Sequence, residues 1–250
     1  MNSASDLLAA LGRYTRFCLS ATRAVPFLNV REMLHQAYVM GVGSLVVLLA
    51  VGAFSGAMLT VQGFASLRAF GTSELLGMFI ALGGVREVFP LIGAGCVGAK
   101  VGSAVASEVA TLKIGQQIDA LEVMAVDPMR FLVAPRLVAC IVVTPLLVGA
   151  CLLAGLVSSY LIATLQLGVD QGVFVSRLLE NISLRDLVSA LVKALGFGML
   201  TGTLACWHGY AADAGAASVG QASNRTVVQA MVTGGVLNLF VSNVFYGGLL

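Results

Sequence analysis

The sequence has very little charge. Only 10% of its 250 residues are Asp, Glu, Lys or Arg, whereas 58% are hydrophobic. A soluble domain usually carries about 25% charged residues, so this chain has too little polar surface to cover a water-soluble globule. Its net charge of +2 is spread along the sequence and provides no basic patch for nucleic acid. The composition therefore indicates an integral membrane protein and argues against nucleic-acid binding.

The usual signatures of a metal site or a catalytic centre are also missing. No two of the five cysteines have CxxC spacing, and each lies alone in an apolar stretch, at Cys18, Cys96, Cys140, Cys151 and Cys206. Buried thiols of this kind are typically small apolar residues. We therefore expect no metal ligands and no catalytic residues in this chain.

A phosphate-binding loop is absent as well. The segment GAGCVGAKVGS (93–103) contains glycines and a lysine, but Ala99 separates Gly98 from Lys100 and Val101 follows. The P-loop instead needs Gly-Lys followed by Ser or Thr, which hold the phosphates and the metal ion. We therefore expect no bound cofactor here, and any ATP and Mg²⁺ would be held by a partner protein.

Long apolar runs predict five transmembrane helices, since about 20 apolar residues span a bilayer. The predicted spans cover about 38–66, 75–105, 137–166, 187–208 and 226–249. A polar connection that contains Asp170 and Asp186 follows the third span, and a loop rich in Gly and Ala (209–225) precedes the fifth. GxxxG spacing inside the spans predicts close helix packing; it occurs at Gly52/Gly56, Gly98/Gly102 and Gly198/Gly202.

The first 32 residues have a different pattern from the remaining region, 33–250. Apolar residues recur at helical spacing while arginines occupy the other faces, which predicts an interfacial amphipathic helix. A soluble helix docked on a partner is the alternative. The arginines also interrupt any signal-peptide core. The apolar positions are Leu7, Leu8, Leu11, Tyr14 and Cys18, and the arginines are Arg13, Arg16 and Arg23.

The distribution of Lys and Arg predicts a cytoplasmic N-terminus and, with five spans, a periplasmic C-terminus. Eight basic residues fall on the N-terminal side and three on the opposite side. The eight are Arg13, Arg16, Arg23, Arg31, Lys113, Arg130, Arg136 and Arg225, and the three are Arg68, Arg177 and Arg185.

Charges inside the predicted spans are the first candidate site. A charge at the bilayer centre costs about 2.5–3.5 kcal/mol on insertion scales, so its presence suggests a partner, a cavity or a function. Arg86 and Glu87 are adjacent and point about 100° apart on a helix, so each needs a partner elsewhere. Lys193 is the candidate partner for Glu87, which leaves Arg86 for a headgroup or a backbone carbonyl. A purely structural ion pair is the alternative.

The polar segment QQIDALEVMAVDPMRFLVAPR (116–136) is the second candidate site. Ile118, Leu121 and Ala125 share one face of a short predicted helix, with Asp119 and Glu122 on a neighbouring edge. The Asp127–Pro128 pair ends that helix and begins the third span. A short, half-apolar helix between two spans suits a groove on a soluble partner. A re-entrant connector with a solvated face is the alternative.

Two segments carry a resemblance to the MlaE family of ABC-transporter permeases. The longer one is VREVFPLIGAGCVGAKVGSAVASEVATLKIGQQIDALEVMAVDPMRFLVAPRLVA (85–139), in which IDALEVM and VDP are the most specific motifs. The second, GYAADAGAASVGQASNRTVVQA (209–230), is similar to a Gly-rich family segment. Span number and chain length also agree with the family, so the resemblance covers about the whole chain.

The resemblance implies an all-α integral membrane protein: an N-terminal interfacial helix, five transmembrane helices and a short cytoplasmic coupling helix (114–127). It implies a homodimer in the bacterial inner membrane. The implied partners are a cytoplasmic ABC ATPase, a periplasmic ring of MCE-domain proteins and a STAS-domain subunit. The implied substrate is phospholipid or a related lipid, moved between the inner membrane and the envelope.

The resemblance also implies roles for individual residues. A lipid pathway would include Arg86, Glu87, Lys193 and Asn238, and the ATPase contact would include Gln117, Asp119, Leu121, Glu122 and Asp127. This sequence departs from the family pattern at several of its positions. Gln116 replaces a Glu, Gln221 replaces an Arg, and Asn238 replaces an acid.

Two other functions fit the same residues. An ion-coupled secondary lipid transporter would use Glu87 and Lys193 without ATP, and inverted repeats would support it, but none is found and five spans do not divide evenly. A membrane scaffold for an MCE-protein assembly would use the charges only to organise the assembly.

Overall fold

The computed structural model describes residues 3–247, with side chains from residue 12 onward except Phe27. The predicted apolar stripe of Leu7, Leu8 and Leu11 therefore lies outside the described side chains. Within residues 3–247 there are eight longer helices, one short 3₁₀ turn at Val25–Phe27 and no strand. The longer helices are α1 (Ser3–Ala24), α2 (Val30–Ala69), α3 (Ser73–Ile114), α4 (Gln117–Val123), α5 (Met129–Gln166), α6 (Gln171–Asn181), α7 (Leu184–Tyr210) and α8 (Ala216–Tyr246).

Five of these helices, α2, α3, α5, α7 and α8, are long and apolar enough to cross a membrane. The prediction of an all-α protein with five spans is confirmed. Each helix begins before its predicted apolar span, because the helix includes polar residues at its N-terminal end. The helix predicted over 114–127 is shorter than expected: α4 covers only Gln117–Val123, with left-handed residues at Gln116 (φ 55°) and Ala125 (φ 58°) on either side.

Two predicted connections contain helix instead. The loop predicted over 209–225 ends at Gly215, whose φ of 120° suits glycine, and α8 begins at Ala216. The polar connection after the third span contains α6, which begins where the Asp170 carboxylate accepts a hydrogen bond from the Val173 amide. Phe174 of α6 is buried against Tyr160 of α5, so this short helix is anchored to the bundle.

Glycines hold the spans close together, as GxxxG spacing predicts. Gly52 and Gly56 of α2 lie against the carbonyl groups of Cys151 and Gly155 of α5, where any added Cβ would overlap the backbone. Gly198 of α7 lies in the same way against α5. The predicted close packing of the GxxxG segments is therefore confirmed.

Helix α1 packs on the bundle through its aromatic face. Phe17 is buried and its ring lies 5.4 Å from that of Trp207, near the end of α7. The Tyr14 hydroxyl donates a hydrogen bond to Thr203 at 2.9 Å. Burial raises the pKa of Tyr14 to about 12, so it remains a neutral donor at physiological pH. This contact places α1 at the end of the bundle where α7 finishes.

Candidate functional site

The first candidate site is built on a π-helical stretch of α3. Residues Ile80–Val88 form this stretch and include Arg86 and Glu87. Pro90 follows and has no backbone N–H, so the series of backbone hydrogen bonds is interrupted here. The Lys193 Nζ donates to the Arg86 carbonyl at 2.8 Å. A lysine of α7 therefore supplies a hydrogen-bond donor to the backbone of α3 close to this proline.

Glu87 binds side chains from two other spans. Its carboxylate lies 3.1 Å from Nζ of Lys193, so the predicted contact between these residues is present. Asn238 of α8 donates to the same carboxylate at 2.8 Å, and Ser242 donates at 2.7 Å. Asn238 and Ser242 are four residues apart and share one face of α8. Glu87 therefore connects α3 to both α7 and α8.

Arg86 has an acidic partner that the sequence analysis did not identify. Its Nε lies 2.8 Å from the carboxylate of Asp186, and its guanidinium lies 4.9 Å from the ring centre of Tyr246. The sequence interpretation had placed Asp186 in a polar connection. It instead lies in the first turn of α7, where it forms a capping box with Ser183 and is buried.

Together these contacts form a charge cluster, defined here as Arg86, Glu87, Asp186 and Lys193. Two acids and two bases balance one another, so the cluster is compatible with an apolar environment. Lys193 is completely buried, whereas the Glu87 side chain is 38% exposed and that of Arg86 is 26% exposed. The cluster thus presents one carboxylate and one guanidinium to its surroundings, a pair that can bind a polar headgroup.

Asn238 also has a polar atom without a partner. Its Nδ2 donates to Glu87, while its buried Oδ1 accepts no hydrogen bond from the described residues. An acid at this position, as the family pattern has, would place a second negative charge against Glu87. Asparagine avoids this repulsion because its amide donates to the carboxylate.

The second candidate site is α4 with its flanking turns. Ile118 is buried and fixes α4 to the bundle, while Gln117 is exposed and Leu121 is half-buried. Asp119 is paired with Lys113 at 2.7 Å, and Glu122 accepts a weak hydrogen bond from Tyr210 at 3.4 Å. These contacts orient α4 against the ends of α3 and α7.

Asp127 has a different position from the other predicted contact residues. Its carboxylate accepts a hydrogen bond from the Met129 amide at 2.9 Å and lies 3.2 Å from Arg130. It therefore caps the beginning of α5, as the Asp–Pro pair predicted.

The most exposed apolar residues at the end of α4 were not among the predicted contact residues. Val123 and Met124 are 89% and 64% exposed, although both are apolar and belong to the IDALEVM motif. The sequence did contain a signal for this exposed surface, because the apolar pair lies at the end of a predicted helix that carries the acids Asp119 and Glu122. Nearby, the buried Arg136 pairs with Glu108 at 2.6 Å and so connects α5 to α3 beside α4.

The helices and the two sites define a polytopic membrane protein with an internal charge cluster and a short helix exposed between two spans. The chain belongs to the MlaE permease family, since residues 33–244 match the family described as Permease MlaE. It is 31% identical to the intermembrane phospholipid transport system permease protein MlaE of Haemophilus influenzae, covering 97% of this chain and 94% of that protein.

Probable ABC transporter permease proteins from other organisms are also similar. The protein of Rickettsia typhi is 28% identical and is matched over 92% of its length and 95% of this chain. That of Synechocystis is 29% identical, over 83% of its length and 89% of this chain. The family assignment predicted from residues 85–139 and 209–230 is confirmed, and the chain is a membrane component of a transport system that has further subunits.

Proposed function

We propose that this chain is the transmembrane permease subunit of an ABC transporter that moves phospholipid or a related lipid between the inner membrane and the envelope. The observation that carries the proposal is the charge cluster inside an apolar bundle. Its partly exposed Glu87 and Arg86 provide complementary contacts for a lipid headgroup, while the surrounding spans are compatible with acyl chains. The similarity to a phospholipid transport permease along nearly the whole chain supports the same substrate class.

The proposal places ATP hydrolysis on a separate cytoplasmic ATPase that contacts α4. Val123 and Met124 provide an apolar contact surface, with Asp119, Glu122 and Gln117 at its edge. Short helices with exposed apolar residues are well suited to a groove on a partner. ATP and Mg²⁺ would therefore belong to the ATPase, and this chain would transmit its movement to the spans.

The remaining assembly follows from the family resemblance. We propose a homodimer with its N-terminus in the cytoplasm, a periplasmic ring of MCE-domain proteins and a STAS-domain subunit on the ATPase. In this orientation the charge cluster lies in the periplasmic half of the bundle, because it is nearer to the Ser73 end of α3 than to α4. A lipid bound there would be close to the MCE ring.

The contact with the ATPase is tested by changing one exposed side chain. Val123→Arg puts a charge on the proposed apolar surface without disturbing buried residues, so we expect this variant to fold but to lose co-purification with the ATPase. Leu179→Arg is the matched control, since Leu179 is 65% exposed on α6 at the opposite end of the bundle. Pull-down in mild detergent and mass spectrometry of bound proteins and lipids provide the measurement.

Three results would contradict the proposal. A Val123→Arg complex as stable as that of Leu179→Arg would remove α4 from the ATPase contact. Lipid transport in proteoliposomes that proceeds without an ATPase and follows an ion gradient would favour the secondary transporter. The absence of lipid transport from a complete complex would favour the scaffold.

A further inference from the structure

A second polar region lies between α1 and the beginning of α5, away from the charge cluster. It surrounds a cavity of about 520 Å³, which is within the size range of small-molecule sites. Both walls contribute polar and apolar side chains. The lining residues are Arg16, Leu19, Ser20, Arg23 and Ala24 from α1, with Asp127, Met129 and Arg130 from the segment after α4.

The charge of this cavity is strongly positive. Three arginines line it, against the single acid Asp127. That carboxylate is already bound, because it accepts a hydrogen bond from the Met129 amide and pairs with Arg130. Arg16 and Arg23 have no ion pair among the residues whose side chains are described. The cavity therefore holds more guanidinium groups than its own acid can neutralise.

Arg16 and Arg23 are seven residues apart, so both lie on the same face of α1. The opposite face of this helix is occupied, since Phe17 and Tyr14 pack on α7. Guanidinium groups bind phosphate oxygens through paired hydrogen bonds, which an apolar or cationic ligand cannot use. Leu19 lies between the two arginines and is 57% exposed, beside Met129. An anion with an attached apolar chain fits this surface better than a free anion.

We propose that this cavity binds the phosphate of an anionic phospholipid, such as phosphatidylglycerol. Arg16 and Arg23 would hold the phosphate, Arg130 would contribute positive charge, and Leu19 would contact the first part of an acyl chain. The bound lipid would connect α1 to the segment that follows α4. This inference does not depend on the transport function, because the cavity lies at the α4 end of the bundle and shares no residue with the charge cluster.

The experiment uses the full chain in detergent and measures short-chain phosphatidylglycerol binding by native mass spectrometry. Arg16→Gln/Arg23→Gln should weaken binding about tenfold or more, since two charge-assisted contacts are lost. The matched control is Arg13→Gln/Arg31→Gln, which removes the same charge from two arginines outside the cavity and should change binding less than about twofold. Short-chain phosphatidylcholine should bind weakly to all variants.

The outcomes separate the possible occupants. Equal weakening in both double variants would mean non-specific attraction and would overturn the proposal. Competition by inorganic phosphate at the same concentration as the lipid would identify a free-anion site and would overturn the lipid assignment. Loss of the ATPase complex with unchanged lipid binding would assign the arginines to an acidic protein segment.

A second double variant keeps the proposal testable if Arg16→Gln/Arg23→Gln does not fold. Trp207 fluorescence would report such a failure, because this residue contacts α1. Arg16→Lys/Arg23→Lys keeps both charges and loses the paired hydrogen bonds of guanidinium. It should weaken phosphatidylglycerol binding about threefold, and unchanged binding would contradict the proposed contacts.

Discussion

Lys193 and Glu87 differ in what surrounds them, and this difference decides what each substitution does. Lys193 is completely buried, and its only described acidic partner is Glu87. Glu87 is partly exposed and has two further donors, Asn238 and Ser242. Removing the acid therefore leaves a buried positive charge, whereas removing the base leaves a carboxylate that is still hydrogen-bonded.

We expect Glu87→Gln to destabilise the protein more than Lys193→Met. Breaking a buried pair by removing one partner costs about 3–5 kcal/mol, and the lysine has no route to solvent. Lys193→Met should cost about 1–2 kcal/mol, including the lost hydrogen bond to the Arg86 carbonyl. Thermal unfolding in detergent gives the order of the two single variants.

The double variant Glu87→Gln/Lys193→Met provides the control for this pair. It should be more stable than Glu87→Gln alone, because neither charge then remains buried without its partner. A double variant no more stable than Glu87→Gln alone would mean that the two residues do not stabilise each other. A reciprocal charge swap at 87 and 193 should recover less stability than this double variant, since a glutamate at 193 cannot donate to the Arg86 carbonyl.

For the individual residues of the charge cluster, some contacts could be predicted from the sequence and others could not. The contact between Glu87 and Lys193 was predictable, because few charges occur in the spans and adjacent residues on a helix cannot pair with each other. The partner of Arg86 was missed, since Asp186 looked like part of a solvated connection. The spacing of Ser183 and Asp186 is that of a capping box and could have placed the acid in the first turn of α7.

The packing of α1 on the bundle can be followed by tryptophan fluorescence. The chain has one tryptophan, Trp207, and the rings of Tyr14 and Phe17 from α1 pack against its edge. The fluorescence of this residue therefore reports whether α1 is in place on α7.

Phe17→Ala should shift Trp207 emission to longer wavelength and cost about 3 kcal/mol or more, because it removes a buried ring from the contact. Leu19→Ala is the matched control, since Leu19 lies on the same helix but is largely exposed. An unchanged emission spectrum in Phe17→Ala would show that α1 does not pack on α7.

The helices that the sequence missed share a physical cause. The spans were located by apolar runs, so a helix with polar residues was assigned to a connection. α6 is such a helix, and only its Asp170 cap and the buried Phe174 distinguish it from a loop. The beginning of α8 was missed for the same reason, because its first turns consist mainly of small and polar residues, AASVGQASNR, with no apolar run.

The two ends of the bundle carry different helices, and the side of the membrane on which each end lies is testable. α4 and the end of α7 lie at one end, and α6 lies at the other. The distribution of Lys and Arg predicts that α4 is cytoplasmic. The number of spans could be predicted from hydropathy alone, whereas the partners of the charges required the packing of α3, α7 and α8.

We expect Ser176→Cys on α6 to react with a membrane-impermeant maleimide in intact spheroplasts. Glu122→Cys on α4 should react only after permeabilisation. Both positions are exposed in the structure, so access would depend on the side of the membrane. The unchanged chain, with its five cysteines, gives the background. The opposite labelling pattern would reverse the orientation and place α4 away from a cytoplasmic ATPase.

The order of residues in the charge cluster also has a consequence for biosynthesis. Lys193 follows Arg86 by 107 residues, and Asn238 follows Glu87 by 151. At about 5–20 residues per second, the ribosome adds Lys193 roughly 5–20 s after the Arg86–Glu87 pair. During that interval α3 carries two charges with no partner from a later helix. We therefore expect nascent α3 to stay beside the insertion machinery until α7 arrives, and the bilayer to receive these helices as a group.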